Sequence, residues 1–210
     1  MGKTLLKKRE ILEVFEILHS SIFKPQIELN YYNPFSLLVA VILSAQSTDI
    51  MVNKVTDKLF SVAKTPKEFI ELGVENLKQY IKSINYFNVK AKHIIECAVL
   101  LLNRDMPDTL EELIKLPGIG RKSANVILNV IFHKNTIAVD THVFRVSNRV
   151  GLCNTQKPLQ TELILEKVIP KHFLKVAHHL LVLHGRYICK AKKPLCAECK
   201  INKLCKFLKI

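Results

Sequence analysis

The sequence is short of acidic residues and has no long apolar run. Eighteen Asp and Glu residues oppose 32 Lys and Arg residues, which leaves a formal net charge of +14 at pH 7. A chain this basic usually binds a polyanion such as nucleic acid, anionic lipid or an acidic protein, although the charge could serve only solubility. The most apolar run, residues 37–43, is far shorter than the roughly 18–20 residues of a membrane-spanning helix. We therefore expect no membrane span and no membrane partner.

Other signals are also missing. The first residues contain no apolar segment followed by a small-residue cleavage site, so we expect no secretory signal peptide. No linker rich in Pro, Gly or Ser divides the chain, and no segment shows the sustained alternation of a β-strand. Since 49% of the residues are hydrophobic, the chain can bury a core. These features predict an all-α fold in the cytoplasm, where thiols stay reduced.

Several helices are predicted by their start signals. Asn33 and Pro34 form an N-cap with proline at the first helical position, and the following apolar helix runs to about Ala45. A helix that is apolar on all sides belongs in the centre of a bundle. Thr65 and Glu68 have the spacing of a capping box. Three glycines are expected to end helices: Gly73, Gly151 and Gly185.

Four of the six cysteines lie close together in the last part of the chain, with the spacing C-x6-C-x2-C-x5-C. They are Cys189, Cys196, Cys199 and Cys205. Four thiolates so close in sequence can hold one metal centre, either zinc or an iron–sulfur cluster. Zinc sites usually have two short-spaced pairs, and only one such pair is present. The spacing therefore favours a cubane iron–sulfur cluster, with zinc and no metal as the alternatives. Cys97 and Cys153 lie in apolar surroundings and are predicted to be packing residues.

The loop between the first two of these cysteines is basic, because it contains Lys190, Lys192 and Lys193. A loop pinned by a metal could present these lysines, Lys193 among them, to DNA phosphates, or the side chains could simply be solvated. Lys90 and Lys92 are open to the same two interpretations.

Residues 109–130 read TLEELIKLPGIGRKSANVILNV, which predicts a helix, a tight turn and a second helix. The turn contains Leu116, Gly118, Ile119 and Gly120, and the second helix starts near Arg121. Its two glycines allow unusual backbone dihedrals and a close approach to a large ligand. The exposed N–H groups that open the second helix suit a DNA phosphate. The pattern therefore favours a helix-hairpin-helix that binds the DNA backbone without regard to sequence. An ordinary corner between two helices is the alternative.

Two residues near this hairpin are candidates for covalent chemistry on a sugar. Lys122 lies in the first turn of the second helix, and a neutral lysine can form a Schiff base with a sugar carbonyl. Asp140 follows the apolar residues 137–139 at an expected helix N-cap. Its carboxylate could stabilise positive charge on a deoxyribose or assist proton transfer. Alone, Lys122 could be a phosphate contact and Asp140 a plain cap, but together they favour an enzyme.

The segments LPGIGRKSANVILN, VDTHVFRVSNR and HGRYIC with the cysteines that follow it resemble the bacterial endonuclease III family. The resemblance extends from about Glu28 to the C-terminus. It implies a two-lobed all-α helix-hairpin-helix fold. Residues 27–134 would form a six-helix barrel. Residues 1–26 and 135–210 would form the second lobe, with a [4Fe–4S] cluster on the four cysteines of the 189–205 loop. It also implies a bacterial, cytoplasmic, nucleoid-associated monomer whose partner is double-stranded DNA containing damaged bases or abasic sites.

The resemblance further implies the reaction, because members of this family are DNA glycosylases with AP lyase activity that remove oxidised pyrimidines in base excision repair. Lys122 would attack the sugar C1′, and Asp140 would assist departure of the base and the later β-elimination. Gln46 matches the residue that fills the hole left by the flipped base. Tyr86 would take the place of the wedge residue. The family usually has Gly-Leu or a similar pair there, whereas this chain has Asn85 and Tyr86.

Two kinds of alternative stay open at this stage. One is a non-catalytic DNA-binding clamp with a structural metal, which would have the same hairpin and basic surface but no turnover. The other is a related glycosylase specialised for ultraviolet dimers or for mismatched thymine.

Overall fold

The computed structural model describes residues 5–207, and these residues form ten α-helices, one short 3-10 helix and no strand. The all-α fold predicted from the sequence is confirmed. No helix within these residues is long and apolar enough to cross a bilayer. The α-helices are α1 (Lys8–Ser21), α2 (Pro34–Ser44), α3 (Asp49–Leu59), α4 (Pro66–Ile81), α5 (Phe87–Leu101), α6 (Leu110–Leu113), α7 (Arg121–Val130), α8 (Thr141–Val150), α9 (Pro158–Val168) and α10 (Leu174–Tyr187). The 3-10 helix is Lys171–Phe173.

The chain divides into two compact units. One unit is Glu28–Phe132 and contains α2 to α7. The other combines the chain up to Ile27 with the chain from His133 onward, and contains α1 and α8 to α10.

Helix α2 forms the centre of the Glu28–Phe132 unit. Asn33 Oδ1 accepts a hydrogen bond from the Ser36 backbone N–H (2.8 Å), and Ser36 Oγ accepts one from the Asn33 N–H (2.9 Å). This reciprocal cap starts the helix at Pro34. Residues 37–43 are each at most 2% exposed, and α2 packs against α3, α5 and α7. Burying a side chain of this kind contributes about 1.5–3 kcal/mol, so α2 is the rigid support for α7 and for the loop that follows α2 itself.

In the second unit the main contact is between α8 and α10, with α1 packed on α10. Gly185 was expected to end a helix, and this prediction is wrong, because α10 continues to Tyr187. A Cβ atom at Gly185 would lie 3.0 Å from His142 Cβ and 3.1 Å from Val146 Cγ2. The glycine therefore lets α8 and α10 approach closely.

At the other two glycines the predicted helix ends are confirmed. Gly151 ends α8 in the left-handed conformation (φ +96°), and its N–H donates to the Ser147 carbonyl, as a helix C-terminal glycine does. At Gly73 the backbone leaves the helical conformation (φ +73°, ψ 161°), so a first helix ends there, and a second helix follows this kink and completes α4 at Ile81.

Candidate active site and metal centre

The predicted hairpin is present between α6 and α7. The Leu116 N–H donates to the Leu113 carbonyl and the Ile119 N–H to the Leu116 carbonyl, both at 3.1 Å, which closes the turn. Gly118 has φ +77°, and a Cβ there would lie 2.8 Å from His93 Nδ1. Two constraints therefore require glycine at this position.

The side chains of the hairpin divide into an inner and an outer set. Leu116 and Ile119 are 7% and 5% exposed, so they anchor the turn in the unit and leave only their backbone for a ligand. Gly118 and Gly120 are exposed, and a Cβ at Gly120 would meet no atom within 4 Å. The predicted DNA contacts of Leu116 and Ile119 can therefore be made only by backbone atoms, while the surface around Gly120 is open to a large ligand.

Lys122 lies in the first turn of α7 beside Arg121, and both side chains are exposed. Gly120 is the N-cap of α7 and has no side chain that could satisfy the first backbone N–H groups. The start of α7 therefore offers N–H donors and the positive end of the helix dipole to an anion, with a primary amine next to them.

Asp140 is the N-cap of α8, as predicted. Its Oδ1 accepts a hydrogen bond from the Val143 N–H at 2.8 Å, and its carbonyl accepts one from the Phe144 N–H at 2.9 Å. The preceding residues Ile137 and Ala138 are buried, and the Ala138 carbonyl lies 2.8 Å from His178 Nδ1 of α10. The carboxyl group is thus fixed on a rigid segment while remaining partly exposed. Asp140 belongs to the second unit and Lys122 to the Glu28–Phe132 unit.

The segments that contain Gln46 and Tyr86 lie next to each other, because the Asn85 side chain joins them by a hydrogen bond. Gln46 and Tyr86 are both exposed, and both have the left-handed backbone conformation, with φ of +56° and +59°. The Asn85 side-chain amide donates to the backbone carbonyl of Gln46 at 2.7 Å. The positive φ lies at Tyr86 rather than at Asn85.

Lys90 is neither a phosphate contact nor a solvated residue, which corrects both interpretations given above. It is 6% exposed, and its Nζ donates to the carbonyls of Leu43 (2.9 Å) and Ala45 (2.5 Å) at the end of α2. Burial lowers the pKa of this lysine from its ordinary value. Lys92 is exposed.

The four clustered cysteines line one pocket between α8, α10 and the C-terminal loop of the second unit, and all four are free thiols. The remaining lining is mostly apolar, with Val150, Ile188, Leu195, Ile201 and Phe207 among its residues. Burial raises the pKa of Cys199 and of Cys205, while backbone N–H groups of Ile201 and Phe207 hydrogen-bond their sulfurs and act in the opposite direction. Thiolates here would therefore need a metal centre to stabilise them.

The donor set of this pocket fits a metal centre held by four thiolates, which could be zinc or an iron–sulfur cluster. Among the residues that the structure describes, no group of three Cys, His, Asp or Glu side chains is arranged to hold a single metal ion.

The loop that contains Lys193 is held by α8. Arg149 donates to the carbonyls of Lys190 (2.7 Å) and Ala191 (3.0 Å), and its Nη1 lies 3.7 Å from Cys189 Sγ. Lys193 is exposed and has a left-handed backbone with φ +52°. A rigid helix therefore fixes the start of this loop and presents Lys193 outward.

Comparison with known proteins decides the family. Residues 39–171 match the model of the HhH-GPD superfamily of base excision DNA repair proteins. Endonuclease III of Rickettsia prowazekii (strain Madrid E) is 54% identical over 200 residues, which cover 93% of each chain. Endonuclease III of Escherichia coli (strain K12) is 48% identical over 205 residues, covering 96% of this chain and 97% of that protein. The chain belongs to the endonuclease III family.

Solved structures agree with this assignment. A trapped endonuclease III–DNA covalent intermediate superposes with a TM-score of 0.90 at 42% identity and 97% coverage of both chains. A thermostable thymine-DNA glycosylase, with a TM-score of 0.79 and 22% identity, shares the fold. The family predicted from the sequence is confirmed, and so is the class of activity. The chain is a base excision repair DNA glycosylase with AP lyase activity, and its partner is duplex DNA.

Sequence reasoning missed several residues that support this endonuclease III site. Cys97, predicted only to pack, donates its thiol to the Pro117 carbonyl of the hairpin at 3.3 Å, and burial raises its pKa to about 12. His93 packs against Gly118, and Arg145 donates to the carbonyls of Gly185 and Cys189. None of these residues has a local sequence signal, because each contact joins positions far apart in the chain.

Proposed function

We propose that this protein excises damaged pyrimidines from duplex DNA and then cleaves the strand by β-elimination, with Lys122 as the nucleophile and Asp140 as the assisting carboxylate. The observation that carries the proposal is the position of Lys122. An exposed primary amine stands in the first turn of α7, directly after a hairpin whose open glycine and N–H groups suit a DNA phosphate. A phosphate held there would place the neighbouring sugar near Lys122.

The reaction begins with attack of the neutral Lys122 amine on C1′ of the damaged nucleotide. The bond from C1′ to the base breaks, the base leaves, and the sugar opens to a Schiff base with Nζ. Loss of a C2′ proton then expels the 3′ phosphate by β-elimination. Water finally releases the lysine. A solved endonuclease III structure contains a trapped covalent intermediate with DNA, which supports a covalent step in this chain too.

Asp140 assists the first step by stabilising positive charge that develops on the deoxyribose as the base departs. It also accepts or returns protons during the elimination. The hydrogen bond from Val143 N–H to one carboxylate oxygen fixes the direction of the group, and the second oxygen can face the sugar. This arrangement supports the role because a preorganised carboxylate needs no reorganisation during the reaction.

DNA is bound by backbone contacts at the hairpin and by exposed basic side chains. We assign phosphate contacts to Gly118, Gly120 and Arg121 in one unit and to Lys193 in the other. Gln46 fills the space vacated by the flipped nucleotide, and Tyr86 wedges between neighbouring bases. If about 4–6 phosphates are contacted, log K should fall with log[salt] with a slope of about −4 to −5.

We assign a [4Fe–4S] cluster to Cys189, Cys196, Cys199 and Cys205. The shared pocket, the N–H groups directed at two of the sulfurs and the C-x6-C-x2-C-x5-C spacing in the sequence support the assignment. When bound, the cluster supplies a redox-capable anchor for the loop. The contribution of the chain itself is the Arg149 contacts, which hold this loop so that Lys193 faces DNA. A brown protein with broad absorbance in the blue supports the cluster, and a colourless protein containing zinc would contradict it.

The remaining features of the proposal concern architecture and cellular location. We place the six-helix barrel in residues 27–134 and the lobe that binds the cluster in residues 1–26 and 135–210. The net charge of +14 favours association with the bacterial nucleoid in the cytoplasm.

The experiment that tests the proposal is turnover on defined duplexes. Each duplex contains one thymine glycol, one ultraviolet dimer, one mismatched thymine or only normal bases, and strand ends are analysed on a denaturing gel. We expect strand cleavage with a β-elimination end on the thymine glycol duplex. The Lys122→Ala variant should lose it, whereas Lys67→Ala should retain it, since Lys67 is exposed and its ion pair with Glu71 is long, at 3.9 Å. Cleavage of only the ultraviolet-dimer duplex or only the mismatch duplex would contradict damaged pyrimidines of the thymine glycol kind as the substrate and would favour a glycosylase specialised for that other lesion. Binding without any turnover would favour a non-catalytic clamp.

A further inference from the structure

Gln46 and Tyr86 form a pair of exposed tips with an unusual backbone. Both have positive φ values, +56° and +59°, and neither is glycine. Tyr86 is 65% exposed, so its ring is not held by packing against the unit. Left-handed backbone at a bulky residue is uncommon and persists only where the surrounding structure determines it.

The contacts that hold this left-handed backbone come from Asn85, which precedes Tyr86, and from Lys90, in the first turn of α5. The Asn85 side-chain amide donates to the Gln46 carbonyl at 2.7 Å. Lys90 forms hydrogen bonds with the same two segments. Its Nζ donates to the last carbonyls of α2, and its backbone N–H donates to the Tyr86 carbonyl at 3.1 Å. The loop after α2 and the turn before α5 are therefore tied together at two points.

We propose that Asn85 is a positioning residue that couples Gln46 to Tyr86, so that the two tips enter the duplex as one unit. This inference rests on the proposed function, in which Gln46 and Tyr86 contact DNA. The bond fixes the peptide plane that follows Gln46 and so limits the directions its side chain can take. The backbone of both tips is thereby ordered before DNA binds, which reduces the entropy lost on binding.

This coupling is a property of the present chain rather than of the family pattern described above. A glycine in place of Asn85 has no side chain and cannot donate to the Gln46 carbonyl. The chain thus combines an unusual wedge, Tyr86, with an additional hydrogen bond beside it.

The test uses a double-mutant cycle and a spectroscopic readout that needs no chemistry. The duplex contains one tetrahydrofuran abasic analogue opposite 2-aminopurine, whose fluorescence rises when the base is unstacked. Asn85→Ala, Gln46→Ala and the double variant are compared with the unmodified protein. Asn76→Ala is the matched control, because Asn76 also donates its exposed side-chain amide to a backbone carbonyl, that of Leu72, at 2.9 Å.

We expect Asn85→Ala to weaken binding about 3- to 10-fold and to reduce the fluorescence change, the range expected for loss of one intramolecular hydrogen bond. In the Gln46→Ala background the same substitution should change binding less than about 2-fold, because the Gln46 side chain that Asn85 positions is gone, although the backbone carbonyl that accepts its hydrogen bond remains. Asn76→Ala should leave both signals unchanged. If Asn85→Ala does not fold, Asn85→Gly provides the same loss of the donor. No effect of either Asn85 variant, or an equal effect with and without Gln46, would overturn the proposal.

The outcomes also separate this inference from the proposed function. A protein that gives the 2-aminopurine response and the coupled cycle but no lysine adduct with an abasic site would retain the inference and lose the proposed chemistry. A protein that forms the adduct but shows an uncoupled cycle would retain the chemistry and lose the inference. Absence of any response to the abasic duplex would overturn the inference as well.

Discussion

Asp140 is both the N-cap of α8 and the proposed catalytic carboxylate, and two substitutions separate these roles. Asp140→Asn keeps an oxygen that can accept the hydrogen bond from the Val143 N–H but removes the negative charge. Asp140→Ala removes both. Since asparagine and aspartate are about equally good N-caps, the first variant isolates the charge and the second adds the loss of the cap.

The stability effects follow from the cap geometry. The hydrogen bond of 2.8 Å to Val143 satisfies one of the first N–H groups of α8. Its loss in Asp140→Ala should lower the free energy of unfolding by about 1 kcal/mol, within a range of roughly 0.5–2 kcal/mol. Asp140→Asn should stay within about 0.5 kcal/mol of the unmodified protein. Urea unfolding, monitored by circular dichroism, measures the free energy of unfolding of both variants.

The activity effects should be nearly equal in the two variants. Removal of a group that stabilises charge and moves protons should slow base excision by about 10²- to 10⁴-fold. Single-turnover excision of thymine glycol from duplex DNA measures the rate, with DNA affinity determined separately on an abasic analogue. If Asp140→Asn retains the rate within a few fold while Asp140→Ala loses stability, Asp140 is only a cap and the catalytic role is refuted.

Three further predictions concern residues that support the site. Lys90→Met leaves the buried carbonyls at the end of α2 without a donor and should lower the free energy of unfolding by about 2–4 kcal/mol in urea, whereas exposed Lys92→Met should change it by less than about 0.5 kcal/mol. Gly118→Ala places a Cβ at φ +77° and 2.8 Å from His93 Nδ1, so thermal unfolding should show a loss of about 1–2 kcal/mol, reduced when His93 is also replaced by Ala. Burial lowers the pKa of His179 from 6.5 to about 4, so the unfolded chain binds this proton first as the pH falls. Stability should therefore decrease between pH 6.5 and pH 4, by about 2 kcal/mol from pH 7 to pH 5, and His179→Leu should remove that part of the pH dependence in urea titrations.

Local signals in the sequence predicted the elements that position the site. The N-cap at Asn33, the hairpin before Arg121 and the cap at Asp140 each depend on a few adjacent residues, so their structure could be read from the sequence alone. The all-round apolar pattern of α2 predicted its central place in the same way.

The features that were missed depend on contacts between distant positions. Lys90 appeared as one more basic residue, but its side chain reaches the Leu43 carbonyl 47 positions away. Asn85 appeared only as a departure from a family pattern, and its partner, the Gln46 carbonyl, lies 39 positions away. Glycine is common at helix ends, yet Gly185 lies inside α10 because α8 packs closely against it. Burial and tertiary packing, rather than local propensity, decide all three cases.

The central claim is that the Lys122 amine forms a covalent bond with the sugar during base excision. Borohydride reduction tests it directly, with the protein incubated on a duplex that contains one thymine glycol and on a duplex that contains one abasic site. We predict a covalent protein–DNA adduct on both duplexes, mapped to Lys122 by mass spectrometry and absent in Lys122→Ala. An adduct on the abasic duplex alone would contradict the assigned base specificity. No adduct on either duplex, with DNA binding intact, would contradict the lysine mechanism.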